Sequence, residues 1–284
     1  MLYQHTTLNC KGTLIDLSEP LVMGILNVTP DSFFDGGKYT NADNVLAHVS
    51  KMLEDGASII DVGGMSSRPG AEVIDETEEL KRVLPIIELI VAKFPEAIIS
   101  IDTVNATVAE KSVEAGASII NDISAGSLDE KMFETVAKLG VPYILMHMQG
   151  RPETMQTNPT YEDLMTNILD FFIEKIGQLR ALKVKDIILD PGFGFGKTVE
   201  DNFYLLKNID AFKILGLPLL VGVSRKSMIY KVLKISAQEA LNGTTVLNTL
   251  ALENGAKILR VHEVKEAMET IQLWKKINEP IHKI

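Results

Sequence analysis

Three stretches of this chain open on the same short phrase and close on a side chain foreign to a core. Glu54 opens E-D-G-A-S-I-I-D, Glu114 opens E-A-G-A-S-I-I-N and Glu253 opens E-N-G-A-K-I-L-R, so Asp61, Asn121 and Arg260 occupy one structural register. Each phrase reads as a helix end, a glycine C-cap and a buried strand. A strand covered on both faces is apolar along its length, so Asp, Asn or Arg at its far end costs desolvation unless something binds it. A carboxylate accepts hydrogen bonds, an amide does both and a guanidinium donates. The pattern therefore points to a polar site at strand ends.

The elements that must position such a site recur along the chain. Strand candidates are Leu21–Asn27, Ser58–Val62, Ala97–Asp102, Ser118–Asp122, Pro142–His147, Asp186–Asp190, Pro218–Val223 and Lys257–His262. Stretches of helical period separate them, among them Asp43–Asp55, Asp75–Lys93, Val104–Ala115, Tyr161–Leu182 and Ala237–Glu253. Eight alternating units predict an α/β fold of the (β/α)8 TIM barrel type, with a doubly wound open sheet as the runner-up. Residues 1–20, with a turn near Asn9–Gly12, are expected to form a short hairpin under the barrel, residues 21–276 the barrel itself and 277–284 a tail. In a barrel, the carboxyl ends of the strands and the loops after them build the active face. Two of those loops, Val28–Thr40 and Gly63–Asp75, are long and rich in Gly, Ser and Pro and read as lids.

Composition narrows the function classes. The 284 residues carry a formal charge of −10 with no basic stripe, which disfavours a nucleic-acid partner but leaves room for a small anion held by a few focused cations. No apolar run is long enough to span a bilayer, no secretory pattern opens the chain, and Cys10 is the only cysteine, so a cytoplasmic location is expected. The five histidines are scattered, which gives no support for structural zinc.

The polar strand ends fall within a series of motifs. I-L-N-V-T-P-D-S-F-F-D-G-G, with Asn27 at the strand end, is followed by I-D-V-G-G-M-S-S-R-P-G, S-I-D-T, I-I-N-D-I, L-D-P-G-F-G-F-G-K, G-V-S-R-K-S and L-R-V-H. In this order they resemble the dihydropteroate synthase family of pterin-binding barrels, from Leu21 to the last helix. The resemblance implies a transferase of folate biosynthesis that condenses (7,8-dihydropterin-6-yl)methyl diphosphate with 4-aminobenzoate and releases diphosphate. It implies that Asp190 accepts from the pyrimidine amino and ring N–H groups, that Asn121 and Asp102 read the remaining edge, and that Lys226 donates to the ring. Met146 and Phe195 would pack on that ring, with Gly222 beside it. Mg2+ is implied on Asn27, with Arg260 and His262 close to the phosphates; the catalytic residues would be Asp102, Lys226, Arg260 and His262. A single amide oxygen is a weak metal ligand alone, so the ion is expected to bind with substrate.

The same resemblance makes Phe33, Asp35, Ser67, Arg68 and Pro69 a lid over 4-aminobenzoate, with Ser224, Lys226 and Ser227 along the wall and Ser67 also touching the pterin substrate. Sulfonamides, which mimic 4-aminobenzoate, are expected to compete. The second loop departs from the commoner G-G-E-S-T-R-P-G form: Met65 stands in place of the acidic residue and Ser67 in place of threonine. A homodimer is implied as well. Two other functions use such a barrel: a methyltetrahydrofolate-dependent methyltransferase domain, which has no reason for a diphosphate site, and a non-catalytic pterin-binding subunit.

Plainer roles compete for several of these residues. Asp102 is also a natural N-cap before the helix at Val104, and Asn121 a local turn former. Lys226 also reads as a surface lysine at a helix start, though a cation is disfavoured at that end of the helix dipole. His262 also reads as a core histidine. The run Gly192, Gly194, Gly196, Lys197 fits neither nucleotide-binding template and reads as a tight turn.

Overall fold

The computed structural model describes residues 6–28, 38–65, 74–150 and 159–279. β1 (Thr7–Cys10) and β2 (Thr13–Asp16) form an antiparallel hairpin. Lys11 and Gly12 at its tip both have positive φ, the conformation that matches a two-residue hairpin turn to the twist of its strands.

Eight parallel strands follow: β3 (Leu21–Asn27), β4 (Ile59–Gly63), β5 (Ile98–Asp102), β6 (Ile119–Asp122), β7 (Tyr143–Met146), β8 (Ile187–Asp190), β9 (Leu220–Val221) and β10 (Ile258–Val261). They lie in the order 8-7-6-5-4-3-10-9, and a bridge between Leu189 and Leu219 joins the two ends. That closure makes the sheet a (β/α)8 barrel and rules out the open doubly wound alternative. The described helices are α1 (Lys38–Glu54), α2 (Glu76–Lys93), α3 (Ala106–Ala115), α4 (Met132–Leu139), α5 (Leu164–Ala181), α6 (Val199–Asn208), α7 (Ser227–Leu233), α8 (Leu241–Glu253) and α9 (Val264–Asn278). None of the described helices is long and apolar enough to cross a membrane.

The strand period of two sorts each strand into an outer and an inner set. Outward residues such as Val22, Ile60, Ile99, Ile120, Leu189 and Leu259 join the helices in the main core. Inward, Met23, Ile59, Ile119, Ile144, Ile188, Leu220 and Ile258 make a separate cluster with Leu8, Cys10, Ile15 and Leu17 of the hairpin segment. The hairpin thus packs on the inner residues at the amino-terminal side of the strands. Two residues further along the strands, the inner face turns polar at Asp61, Asn121, Asp190 and Arg260. An apolar floor under a polar mouth is the framework of the site.

Boundaries differ from expectation where local bonding intervenes. β9 is confined to Leu220–Val221, because Pro218 has no N–H to donate and Lys226 N already turns back to Val223 O. α5 starts only after Asp163, whose carboxylate caps Thr166 N, and α8 starts after a separate turn in which Glu239 binds Ser236.

Candidate functional site

The three ends of the repeated phrase meet around one oxygen atom. Arg260 on β10 reaches past β3 to donate from Nε to Asp61 Oδ2 at 2.7 Å, and Asn121 on β6 donates from Nδ2 to the same oxygen at 3.1 Å. Arg260 Nη2 donates to Asp102 Oδ2 on β5, also at 2.7 Å. The guanidinium is therefore held by two carboxylates, leaving Nη1 unused by either. Burial alone would make Arg260 a weaker base, but Asp61 and Asp102 outweigh it and keep the cation charged. Burial pushes the Asp102 carboxyl up to about 7 against the pull of Arg260, with Asp61 adding to the rise. The cap that Asp102 was able to supply comes instead from Asn105, whose Oδ1 accepts from Thr107 N and Val108 N. Likewise the local turn belongs to Asp122, which accepts from Ser124 N, Ser124 Oγ, Gly126 N and the Tyr143 hydroxyl. Asn121 is free of that duty.

On the neighbouring arc, Asp190 at the end of β8 accepts from Gly192 N at 2.8 Å, and its burial raises the carboxyl above the usual range. The glycine run is a turn, as expected: a Cβ at Gly192 would stand 1.9 Å from His147 O, so no other residue fits. Lys197 anchors this turn from beneath, with Nζ 3.0 Å from His147 Nδ1, 3.0 Å from Gly192 O and 3.2 Å from Phe195 O. Burial pulls its ammonium down to about 7. Met146 and Phe195 form a small apolar cluster with Ile123. The Lys226 ammonium sits 4.3 Å from the centre of the Phe195 ring, a cation over an aromatic face, and burial lowers it to about 8 with Arg260 contributing. It is not the solvated lysine that its helix-start position allows.

The third group comes from the turn after β9 and the end of β10. Ser224 Oγ lies 2.9 Å from His262 Nδ1 and 3.3 Å from Glu263 Oε2, while Arg225 grips Glu263 Oε1. His262 is thereby tied into a polar chain, unlike an isolated core histidine. Gly222 faces Arg260, with room for a Cβ 3.8 Å from the arginine Cβ. Ser227 is the first residue of α7 and half-buried. Asn27 closes β3 in register with Gly63, and Asp102 lies in register on the next strand. At Gly63 a Cβ would be 3.7 Å from both Asn27 Oδ1 and Asp102 Oδ2. Among the described residues no three His, Cys, Asp or Glu side chains gather as a metal cluster. Phe33, Asp35, Ser67, Arg68 and Pro69 lie outside the described residues.

Asp102, Asn121, Asp190, Lys226 and Arg260 thus come together at one end of the barrel, with Asn27 and His262 at its strand ends too. Sequence reasoning gave no site role to Asp61, Lys197 or Glu263. The repeated phrase did single out Asp61, and Lys197 closes the glycine run that reads as a turn; nothing local marks Glu263.

Comparison with known proteins follows this geometry. Residues 23–262 match the family model described as pterin binding enzyme. The dihydropteroate synthase of Escherichia coli (strain K12) is 46% identical over 265 residues, covering 93% of each chain. Among solved structures, the Yersinia pestis dihydropteroate synthase with a sulfonamide drug complex aligns with a TM-score of 0.90 at 45% identity, over 95% of this chain and 98% of the other. The Xanthomonas albilineans dihydropteroate synthase with 4-aminobenzoic acid aligns with a TM-score of 0.90 at 37% identity, over 97% and 99%.

Proposed function

The chain belongs to the pterin binding enzyme family, and we infer from that membership and from the site that it is a transferase carrying out the dihydropteroate synthase reaction. It joins (7,8-dihydropterin-6-yl)methyl diphosphate to 4-aminobenzoate and releases diphosphate. The observation that carries this reading is the Arg260 guanidinium, fixed by Asp61 and Asp102 at a strand-end mouth that also holds Asp190, Asn121 and Lys226. A flat donor and acceptor ring with an anionic tail matches that mixture. The methyltransferase and non-catalytic readings gain no support from the relatives, which are synthases.

In this proposal Asp190, Asn121 and Asp102 read the hydrogen-bonding edges of the pterin, Lys226 donates to the ring, and Met146, Phe195 and Gly222 border it. Arg260 presents Nη1 to the diphosphate, with His262 beside it, and steadies negative charge as the bond to the pterin methylene breaks. The aniline nitrogen of 4-aminobenzoate is neutral at pH 7 and attacks without a strong base, which accounts for a site built from binding groups. The carboxamide of Asn27, set beside Gly63 and near Asp102, suits Mg2+ as one ligand of a set that the diphosphate completes. Bound there, the ion would neutralise charge on the leaving group. Ser67, Phe33, Asp35, Arg68 and Pro69 would fold over 4-aminobenzoate, with Ser224 and Ser227 on the wall.

The lone Cys10, buried and unpaired, suits a cytoplasmic enzyme. A homodimer is favoured by apolar side chains left exposed on adjacent helices, Val246 and Leu250 on α8 and Leu273 and Ile277 on α9. Sedimentation of the purified chain should give twice the monomer mass.

The test of function is direct. Purified protein incubated with both substrates and Mg2+ should yield 7,8-dihydropteroate and equimolar diphosphate. Protein that binds the pterin diphosphate yet releases none would sink the assignment.

A further inference from the structure

The turn Val223–Lys226 carries contacts that the substrate roles above do not use. Besides its approach to His262 Nδ1 and Glu263 Oε2, Ser224 Oγ accepts the His262 backbone N–H at 3.2 Å. Arg225 donates from Nε to Glu263 Oε1 at 2.6 Å and from Nη2 to the same oxygen. Its own backbone is left-handed at φ +56°, uncommon outside glycine, and its N–H bonds Thr244 Oγ1 at 3.2 Å. A single line of contacts therefore runs from Arg225 through Glu263 and Ser224 to His262.

A hydroxyl has one hydrogen to give. With a carboxylate in reach, that hydrogen goes to Glu263 Oε2, because the charged acceptor makes the stronger bond. The Ser224 oxygen then faces His262 as an acceptor, and Nδ1 must supply the hydrogen between them. In that arrangement Nε2 is an acceptor when the ring is neutral and a donor only when it is an imidazolium. We propose that Glu263 is a positioning residue which, through Ser224, holds the His262 hydrogen on Nδ1, so that the ring donates to an anionic phosphoryl group only in its charged form. The purpose is selectivity: a charged donor strengthens its bond as negative charge gathers on a leaving group. The inference rests on the placement of His262 beside the diphosphate. It also gives Ser224 a task within the protein: the residue is only 5% exposed and its hydroxyl is committed to His262 and Glu263. Among the described residues, charges near the ring include Glu263 through Ser224, Arg225 through Glu263, and Arg260 two positions back on β10.

The tautomer can be read without turnover, by 15N NMR of protein labelled at histidine, with His262→Asn to assign the signal. The neutral wild-type ring should carry its hydrogen on Nδ1. In Glu263→Ala the freed hydroxyl turns its hydrogen to Nδ1, and the ring should change to the Nε2–H form. Ser224→Ala, which leaves the Arg225–Glu263 pair intact, should also lose the Nδ1 preference and guards against a fold lost in the first variant. In both variants kcat/KM for the pterin diphosphate should fall about tenfold, the scale of losing a supporting hydrogen bond, and in Glu263→Ala, which alters no residue of the 4-aminobenzoate wall, KM for 4-aminobenzoate should be unchanged. An Nε2–H ring in the wild type, or the same tautomer in all three proteins, overturns the proposal. Dihydropteroate formation by the wild type judges the functional reading separately.

Discussion

A buried carboxylate that takes two hydrogen bonds on one oxygen carries more of this site than any single substrate contact. Asp61 is fully buried, and its Oδ2 serves both Arg260 and Asn121. Removing it leaves the arginine with Asp102 alone and the amide of Asn121 without its acceptor. Asp61→Ala should therefore cost about 3 kcal/mol in denaturant unfolding, the usual scale for stripping one partner from a buried ion pair. It should also weaken pterin diphosphate binding, although Asp61 has no proposed contact with that ligand; unchanged affinity by calorimetry would show that Arg260 orients itself without help. Lys226 allows a test by pH. Its ammonium is lowered from 10.5 to about 8 by burial, so it is charged below that value and neutral above it. Affinity for the pterin diphosphate should fall as pH rises from 7 to 9.5. Lys226→Ala should bind weakly throughout and show no such fall.

At the scale of elements, the site depends on turns that fix where each strand end points. Lys197 is the clearest case, a buried ammonium gripping Gly192 O, Phe195 O and the His147 ring beneath the turn after β8. Lys197→Ala takes the ammonium away from Phe195 O and the His147 ring and leaves Gly192 O with only the Phe195 N–H, so about 2 kcal/mol of stability should be lost, with pterin affinity falling because Asp190 and Phe195 flank the same turn. A melting temperature equal to wild type would remove Lys197 from this role. The strands and the closed barrel were legible because eight apolar runs alternate with stretches of helical period, and the place of the site because runs ending in Asp, Asn or Arg are costly unless something binds those ends. Strand parity alone did not say which polar residue turns inward; the repeated phrase marked Asn121. Asn121 and Asp122 adjoin, and one serves the site while the other pins the loop. In a strand apolar on both faces the alternation that would set parity is missing from the sequence. It becomes visible only once Ile119 is seen on the inner floor, two residues before Asn121. The contact of Glu263 with Ser224 was illegible for another reason: they are 39 positions apart, and it is the parallel pairing of β9 with β10 that brings them together.

The whole molecule separates what makes it stable from what makes it work, one at each end of the barrel. At the amino-terminal end the hairpin's Leu8, Cys10, Ile15 and Leu17 complete an apolar floor; at the carboxyl end Asn27, Asp61, Asp102, Asp190, Arg260 and Lys226 form a polar mouth of mixed charge in a chain of net charge −10. Arg260 and Lys226 are fixed at that mouth, so an anionic tail is met by local donors there and not by the overall charge of the protein. The division predicts opposite effects from two substitutions. Leu8→Ala opens a cavity under the floor and should lower unfolding free energy by about 3 kcal/mol, yet leave kcat/KM near wild type because the inner layer of Met23, Ile59 and Ile258 stands between it and the mouth. Asn27→Ala removes an amide from a half-buried strand end, so the melting temperature should hold while Mg2+ no longer tightens pterin diphosphate binding in calorimetry. If Leu8→Ala instead changed substrate affinity as strongly as stability, the floor and the mouth would be one mechanical unit, and the separation drawn from their layering would be wrong.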